Sequence, residues 1–173
     1  VILSAFFSGS ETSIMALNQI KLDNAEKQGN KSAKIINSLR KEINRVLGVI
    51  LIGNNLVNIS ASALLTFFVI KKFGDEYVWI GTLLLTIFII IFAEIAPKSF
   101  AAKRPESIAY PASRILKVLT KYLGSFSEML TSISNSLTGI KNNENYFSEN
   151  LNRDELKSVL EKETKEVDKE EMD

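Results

Sequence analysis

Asparagines interrupt the most uniform apolar segment of the chain. Residues 46–70 contain no charged side chain, yet Asn54, Asn55 and Asn58 lie near the middle of this segment. An amide without a hydrogen-bond partner is costly in hydrocarbon, so each of these side chains needs one. On a helix, Asn54 and Asn58 share a face with Ser62, and Asn55 flanks them. The partner is either a neighbouring helix or a bound ligand.

The apolar segment that opens the chain, residues 1–17, carries a row of hydroxyl groups. Ser4, Ser8 and Thr12 are spaced by four residues, which places them on one face of a helix. Gly9 lies beside this row and permits either the close approach of another backbone or a local break in the helix. This segment therefore has the same need for polar partners.

A carboxylate and a proline end the third apolar segment. Glu94 follows residues 77–93, and Pro97 lacks the N–H that would bond the carbonyl of Ala93 in a helix. A carboxylate at the centre of a membrane helix costs ~2.5–3.5 kcal/mol. Lys98, four residues after Glu94, is one candidate partner for it.

These hydroxyls, amides, the freed carbonyl and the carboxylate form a ligand set made only of oxygen. Hard cations such as Mg²⁺ and Na⁺ prefer this set, and Mg²⁺ takes about six oxygens at roughly 2.0–2.1 Å. The chain contains no cysteine and no histidine, which excludes thiolate and imidazole metal sites. It also lacks the residue patterns of an intramembrane protease, so we expect no enzyme. The alternative is that the polar groups only hydrogen-bond one helix to another.

Length and hydropathy predict an all-α integral membrane protein with three transmembrane helices. A span needs about 20 mostly apolar residues. Residues 46–70 and 77–96 satisfy this requirement. Residues 1–17 are too short, and we expect that span to begin before Val1.

Basic residues predict the orientation of these spans. Lys and Arg are concentrated in residues 21–45 and again from residue 98 onward, whereas the 71–76 loop is balanced. The positive-inside rule places the two basic regions in the cytoplasm, with the N-terminus and the 71–76 loop outside. Residues 21–45 are helix-prone and are broken at Gly29-Asn30.

Charge also divides the chain into two parts. Residues 1–141 carry a net charge of +7 and residues 142–173 carry −6. We predict a membrane domain over residues 1–140, followed over 141–173 by a polar linker and a charged helix leading to a further soluble domain; a disordered tail is the alternative. Nucleic acid is not an expected partner, because the basic residues flank apolar segments and lack interleaved aromatic residues.

Residues 108–140 predict one long amphipathic juxtamembrane helix. Its apolar side chains recur at steps of three and four residues: Ile115, Leu119, Tyr122, Phe126, Met129, Ile133, Leu137 and Ile140. This stripe either packs against a neighbouring helix or lies along the inner leaflet or in a dimer interface. Periodicity does not separate these alternatives.

Three motifs in this order resemble the transmembrane domain of the CNNM/CorC (cyclin M-like) magnesium transporters. They are SAFFSGSETSIMAL in the first span, IGNNLVNI in the second and FAEIAPKSFAAKRP at the end of the third. The resemblance covers residues 1 to about 140. The acidic helix that follows resembles the link to a pair of CBS domains, which this sequence does not include.

The resemblance implies a multi-pass homodimer in the plasma (inner) membrane, with three spans per subunit and a cytoplasmic belt of juxtamembrane helices. It implies Mg²⁺ as the transported ion, with export coupled to Na⁺, and the CBS-pair domain of the same chain as a partner. The ion ligands that it implies are Ser8, Asn54, Asn55, Asn58 and Glu94. Supporting or coupling-ion positions are Gly9, Ser10, Glu11, Thr12, Ser62, Pro97 and Lys98. The alternative function is a membrane anchor and dimer scaffold that regulates another ion transporter.

Overall fold

The computed structural model of the protein describes residues 1–138, and every regular element in that range is helical. The elements are α1 (Ile2–Ala16), α2 (Gln19–Lys27), α3 (Lys31–Lys41), α4 (Ile43–Phe73), a 3₁₀ turn (Asp75–Tyr77), α5 (Val78–Ile89), a π-helical segment (Ile90–Ile95), α6 (Ala96–Lys103) and α7 (Pro105–Thr138). The packing reported below belongs to a compact unit, Val1–Thr131. The predicted linker and charged helix, residues 141–173, lie outside the described residues, so that domain boundary stays a prediction.

Two helical stretches are long and apolar enough to cross a membrane. They are Ile43–Phe73 and Asp75–Lys103, and few side chains along either are buried within the protein, as expected of surfaces that face lipid. Gly74, with φ of +98°, separates them in a backbone conformation that favours glycine. The all-helical prediction is confirmed, and two of the three predicted spans coincide with these candidate spans. α1 has 15 residues, fewer than the ~20 that a span needs, so the first span stays a prediction, and so does the homodimer.

The predicted break at Gly29-Asn30 is confirmed as the turn of a helical hairpin, α2–α3. Gly29 has φ of +87°, and Asn30 Oδ1 then accepts a hydrogen bond from Ser32 N–H at 2.9 Å. Asn18 caps α2 in the same way, accepting from Lys21 N–H at 3.0 Å. Both asparagines satisfy backbone donors that a helix start leaves unpaired, which is why the chain restarts a helix at these points.

α1 is an internal helix that packs against α4, the π-helical segment and α6. Its buried side chains cover more than half of its circumference: Ser4, Phe7, Ser8, Ser10, Ser13 and Ile14. Ile14 and Phe7 share one core with Val46 and Ile50 of α4 and Leu116 of α7. The hydroxyls of α1 therefore face protein groups.

Arg40 of α3 binds the end of α1. Its Nη2 donates to the carbonyls of Ile14 at 2.7 Å and Leu17 at 2.6 Å, and its Nη1 donates to Gln19 Oε1. These carbonyls belong to the last turn of α1, where helical partners run out and the helix dipole favours a cation. Arg40 thus fixes the hairpin to the C-terminal end of the central helix.

α7 has a small face that packs on the rest of the unit. Its buried positions are Ala109, Ala112, Ser113, Leu116, Thr120, Gly124 and Ser127. The predicted apolar stripe lies on a different face: Leu119 is partly buried, and the side chains of Ile115, Tyr122, Phe126, Met129, Ile133 and Leu137 are exposed. Within residues 1–131, the stripe side chains of Ile115, Tyr122, Phe126 and Met129 therefore do not pack into this unit, and the leaflet and the dimer interface stay open as alternatives. Ile140 lies outside the described residues.

Candidate cation site

Ser4 and Asn54 meet at the interface of α1 and α4. Ser4 Oγ is fully buried and donates a hydrogen bond to Asn54 Oδ1 at 2.7 Å. One turn away, a Cβ atom placed on Gly53 would lie 2.4 Å from Phe7 Cζ, so only glycine lets the helices approach this closely. Asn54 Oδ1 has a second lone pair that remains available to a ligand.

The two helices run antiparallel. Ser4 contacts Asn54, whereas Ile14, ten residues further along α1, shares a core with Val46, eight residues earlier on α4. Moving down α1 therefore means moving back along α4. This direction determines the depth of the other polar residues on the two helices, where depth means the position along the helix axes.

α6 runs parallel to α1 and forms an ion pair with it. A Cβ atom on Gly9 would lie 3.6 Å from Pro97 Cβ, and Glu11 Oε2 lies 3.3 Å from Lys98 Nζ. Lys98 therefore pairs with Glu11, and the alternative that it pairs with Glu94 is wrong. α1 is continuous from Ile2 to Ala16, so the local break that Gly9 would permit is absent. A Cβ atom on Gly9 would make ordinary van der Waals contacts, the nearest to Ile108 Cδ1 at 3.4 Å, so this helix contact does not require glycine.

Glu94 lies in the π-helical segment that packs against α1. In this segment Ala96 N–H donates to Ile91 O, five residues back, so the helix is widened by one residue per turn just before Pro97. Such bulges inside α-helices are frequent at functional sites. Glu94 precedes Pro97 by about one turn, which places its backbone at the depth between Ser4 and Ser8. Within residues 1–138 Glu94 has no ion pair.

Several buried oxygens of α1 and α4 have no hydrogen-bond partner. Ser8 Oγ and Asn58 Oδ1 are both buried and unpaired, and so is Ser10 Oγ. A buried polar atom without a partner costs about 1–3 kcal/mol, so each implies a bound water or ion. Ser10 faces away from Ser8, because two residues turn a helix by about 200°. Ser8 and Ser10 therefore do not share a ligand.

Ser8 and Asn58 lie at different depths. Each is one turn beyond the Ser4–Asn54 contact, but in opposite directions because α1 and α4 are antiparallel. At about 1.5 Å per residue, the two side chains are roughly 12 Å apart along the helix axes. Two ligands of one Mg²⁺ lie within about 4 Å of each other. Ser8 and Asn54 differ by one turn, roughly 6 Å, which the Asn54 side chain must close by leaning toward Ser8 if both bind one ion, whereas roughly 12 Å is too far for any side-chain movement to close. In this conformation one ion contacts either Ser8 or Asn58, and Ser8 is the one close in depth to Glu94.

The other residues predicted for the site differ in how far they are exposed. Asn55 is exposed on α4, while Thr12 and Ser62 are half-buried. Within residues 1–138 no three acidic side chains come together, so a site at this place has fewer than three carboxylates and depends on hydroxyl and amide oxygens. Ser4, which contacts Asn54, is absent from the predicted ligands, although its spacing of four from Ser8 signals the same face.

Comparison with known proteins places the chain among membrane proteins. It is 49% identical over 117 residues to the UPF0053 inner membrane protein YfjD of Escherichia coli and 46% identical over 121 residues to a UPF0053 protein of Haemophilus influenzae. A putative DUF21 domain-containing chloroplastic protein of Arabidopsis thaliana is 37% identical over 133 residues. These matches cover 68%, 70% and 68% of this chain but only 27%, 29% and 20% of the three relatives.

The family match extends over almost the whole sequence. Residues 1–171 match the model of the cyclin M transmembrane N-terminal domain, CNNM. This range includes the buried Ser4–Asn54 contact, the π-helical segment and both candidate spans. The chain is therefore a membrane protein of the CNNM family.

Proposed function

We propose that this chain binds Mg²⁺ between α1, α4 and the π-helical segment and carries it across the membrane. The observation that carries the proposal is Ser8 Oγ, a buried hydroxyl without a partner at the depth of Glu94 and about one turn from Asn54. An ion at this place would satisfy Ser8 and Glu94 together. Membership of the CNNM family supports divalent-cation transport as the activity.

The proposed ligands are Ser8 Oγ, Asn54 Oδ1 and a Glu94 carboxylate oxygen, with water at the remaining positions. Ser4 holds the Asn54 amide in place through its hydrogen bond, as second-shell groups do at metal sites. One carboxylate leaves a divalent ion only partly neutralised, which suits a site that must also release its ion. Asn58 lies about two turns from Ser8 toward the far end of α4 and would meet the ion at a different stage of its passage.

Three further parts of the proposal rest on the resemblance to the family. We propose that Na⁺ entry drives Mg²⁺ export and that the homodimer is the working unit. The CBS-pair domain expected beyond this sequence would regulate the transport. The ion pair of Glu11 with Lys98 lies beside the site and is the place where a coupling ion could compete for the Glu11 carboxylate.

Reconstitution tests the function directly. The purified protein in liposomes that contain a Mg²⁺-sensitive dye should move Mg²⁺ without any partner protein, and Ser8→Ala and Glu94→Gln should each reduce the flux at least tenfold. Asn55→Ala, which changes an exposed amide one residue from Asn54, should keep the flux within twofold. Wild-type protein that reconstitutes in its folded form but moves no Mg²⁺ would support the scaffold function instead.

A further inference from the structure

α7 presents an exposed apolar face that nothing within residues 1–131 covers. We define the bulky face as Ile115, Val118, Tyr122, Phe126 and Met129, whose residues are 47–74% exposed. Five large apolar side chains on one helix face are more than a water-exposed surface normally carries. The small face of the same helix is already used to pack on the unit, so the bulky face is free for a partner.

Two close contacts between α7 and α4 determine where α7 lies relative to the membrane, and each contact is made at a glycine. A Cβ atom on Gly48 would lie 2.0 Å from Ser127 Oγ, and one on Gly124 would lie 2.1 Å from Arg45 Nε. Arg45 also pairs with Glu128, at 3.4 Å. Arg45 is the last charged residue before 25 residues without charge. Since a cation at the centre of a bilayer costs ~2.5–3.5 kcal/mol, Arg45 and the part of α7 that touches it lie at the membrane surface.

Three cations lie on α7 next to the bulky face. Arg114, Lys117 and Lys121 are exposed, and none of them has an ion pair within residues 1–138. Lys121 Nζ lies over the ring of Tyr122 at 5.8 Å. At about 100° per residue, Arg114 and Lys121 are roughly 80–100° around the helix from the centre of the bulky face, and Lys117 is about 140° from it. Basic side chains at this angle extend their charge to the phosphates while the apolar face enters the acyl region.

We propose that α7 is a binding surface for anionic phospholipid, with the bulky face in the leaflet and Arg114, Lys117 and Lys121 on the lipid phosphates. The sign of the charge argues for this partner over a second copy of the chain. Two bulky faces packed together would bring two sets of these three cations close to each other, none of which has an ion pair within residues 1–138, and Glu128 of the same helix is engaged by Arg45. Anionic lipid supplies the missing negative charge.

Fluorescence quenching tests where the bulky face lies. The chain has no cysteine, so a single cysteine can be labelled uniquely. In nanodiscs of phosphatidylcholine with phosphatidylglycerol, a bimane at Phe126→Cys should be quenched by nitroxide-bearing lipid and protected from iodide. A bimane at Lys117→Cys, on the polar side, should show the reverse. Phe126→Cys labels shielded from both quenchers would indicate a protein partner and overturn the proposal, and labels open to iodide would overturn it equally.

Lipid selectivity tests the cations. Native mass spectrometry of the full chain should show preferential retention of phosphatidylglycerol over phosphatidylcholine. Arg114→Gln, Lys117→Gln and Lys121→Gln together should reduce this preference by about fivefold for each cation removed, as basic residues near an anionic surface predict. The matched control removes three exposed lysines of the α2–α3 hairpin, Lys27→Gln, Lys31→Gln and Lys34→Gln, and should preserve most of it.

A soluble phosphate compound carries the same anionic group as the lipid headgroup, so it is the other ligand that the three cations can bind. Glycerol phosphate added at millimolar concentration should fail to displace the retained lipid, because it lacks the acyl chains that the bulky face binds. Complete displacement, or an equal loss of preference in both triple variants, would overturn the proposal. None of these measurements depends on Mg²⁺ transport, so the result stands apart from the function proposed above.

Discussion

At the scale of single residues, the proposed site depends on whether side chains of α1, α4 and the π-helical segment lie close enough together to bind one ion. Ser8, Asn54 and Glu94 follow from the sequence, because amides, hydroxyls and carboxylates inside apolar segments need partners. The sequence does not predict that Asn55 is exposed or that Lys98 pairs with Glu11. Helical spacing tells which residues share a face, but the neighbour of that face depends on packing between distant segments.

The first prediction concerns Mg²⁺ affinity. Ser8→Ala and Asn54→Ala should each weaken Mg²⁺ binding more than tenfold in isothermal titration of the purified protein, because each removes a proposed direct ligand. Ser4→Ala should have a smaller effect, since Ser4 only orients the Asn54 amide. Asn55→Ala is the matched control and should bind Mg²⁺ within twofold of wild type. Equal affinities in the Ser8 and Asn55 variants would contradict the proposed ligand set.

At the scale of helices, close approach depends on glycine. The sequence predicts the break between α2 and α3 and the helical character of each long segment. It does not predict the π-helical segment, because a widened turn reflects how the helix packs against α1 ahead of Pro97. It also misses the small face of α7, since alanine and serine give a weaker periodic signal than the bulky residues on the exposed side.

The second prediction tests the contact of α1 with α4. Gly53→Ala places a Cβ atom 2.4 Å from Phe7 Cζ, so it should destabilise the fold by ~1–3 kcal/mol through overpacking. Thermal unfolding in detergent should show a midpoint lower by about 2–4 °C for each kcal/mol. Phe7→Leu should recover part of the loss. Gly9→Ala is the control, because its Cβ atom would meet nothing closer than 3.4 Å; equal losses in both variants would argue against the packing described.

The third prediction tests the Arg40 cap. Arg40→Met keeps the apolar stem but removes the donors to Ile14 O and Leu17 O. Hydrogen bonds from charged groups are worth about 1.5–3 kcal/mol each, so the variant should unfold several degrees earlier. Lys41→Met, the exposed neighbour, should unfold like wild type. An unchanged midpoint for Arg40→Met would show that the hairpin does not stabilise the end of α1.

At the scale of the whole molecule, composition predicts the membrane setting and the all-helical class, and both agree with the structure and the family. The number of spans is less accessible from sequence. α1 is apolar enough to suggest a span, but it is short and packs on α4, the π-helical segment and α6. Which side of the membrane each loop occupies follows only from the distribution of Lys and Arg.

The fourth prediction tests that orientation. Asp75→Cys, between the two candidate spans, should react with a membrane-impermeant maleimide in intact cells. Lys34→Cys, in the α2–α3 hairpin, should react only after permeabilisation, because the hairpin belongs to a strongly basic region. Both positions are partly or fully exposed in the folded protein, so burial does not protect either. The reverse pattern would invert the topology and with it the direction proposed for transport.

The most direct test of the account is to locate the ion itself. Mn²⁺ accepts the same oxygen ligands as Mg²⁺ and gives an anomalous diffraction signal in crystals of the protein. The account predicts one peak between α1, α4 and the π-helical segment, within direct ligand distance of Ser8 Oγ, Asn54 Oδ1 and the Glu94 carboxylate. A saturated crystal with no peak there, or with Ser8 and Asn54 in contact only with protein atoms, would contradict it.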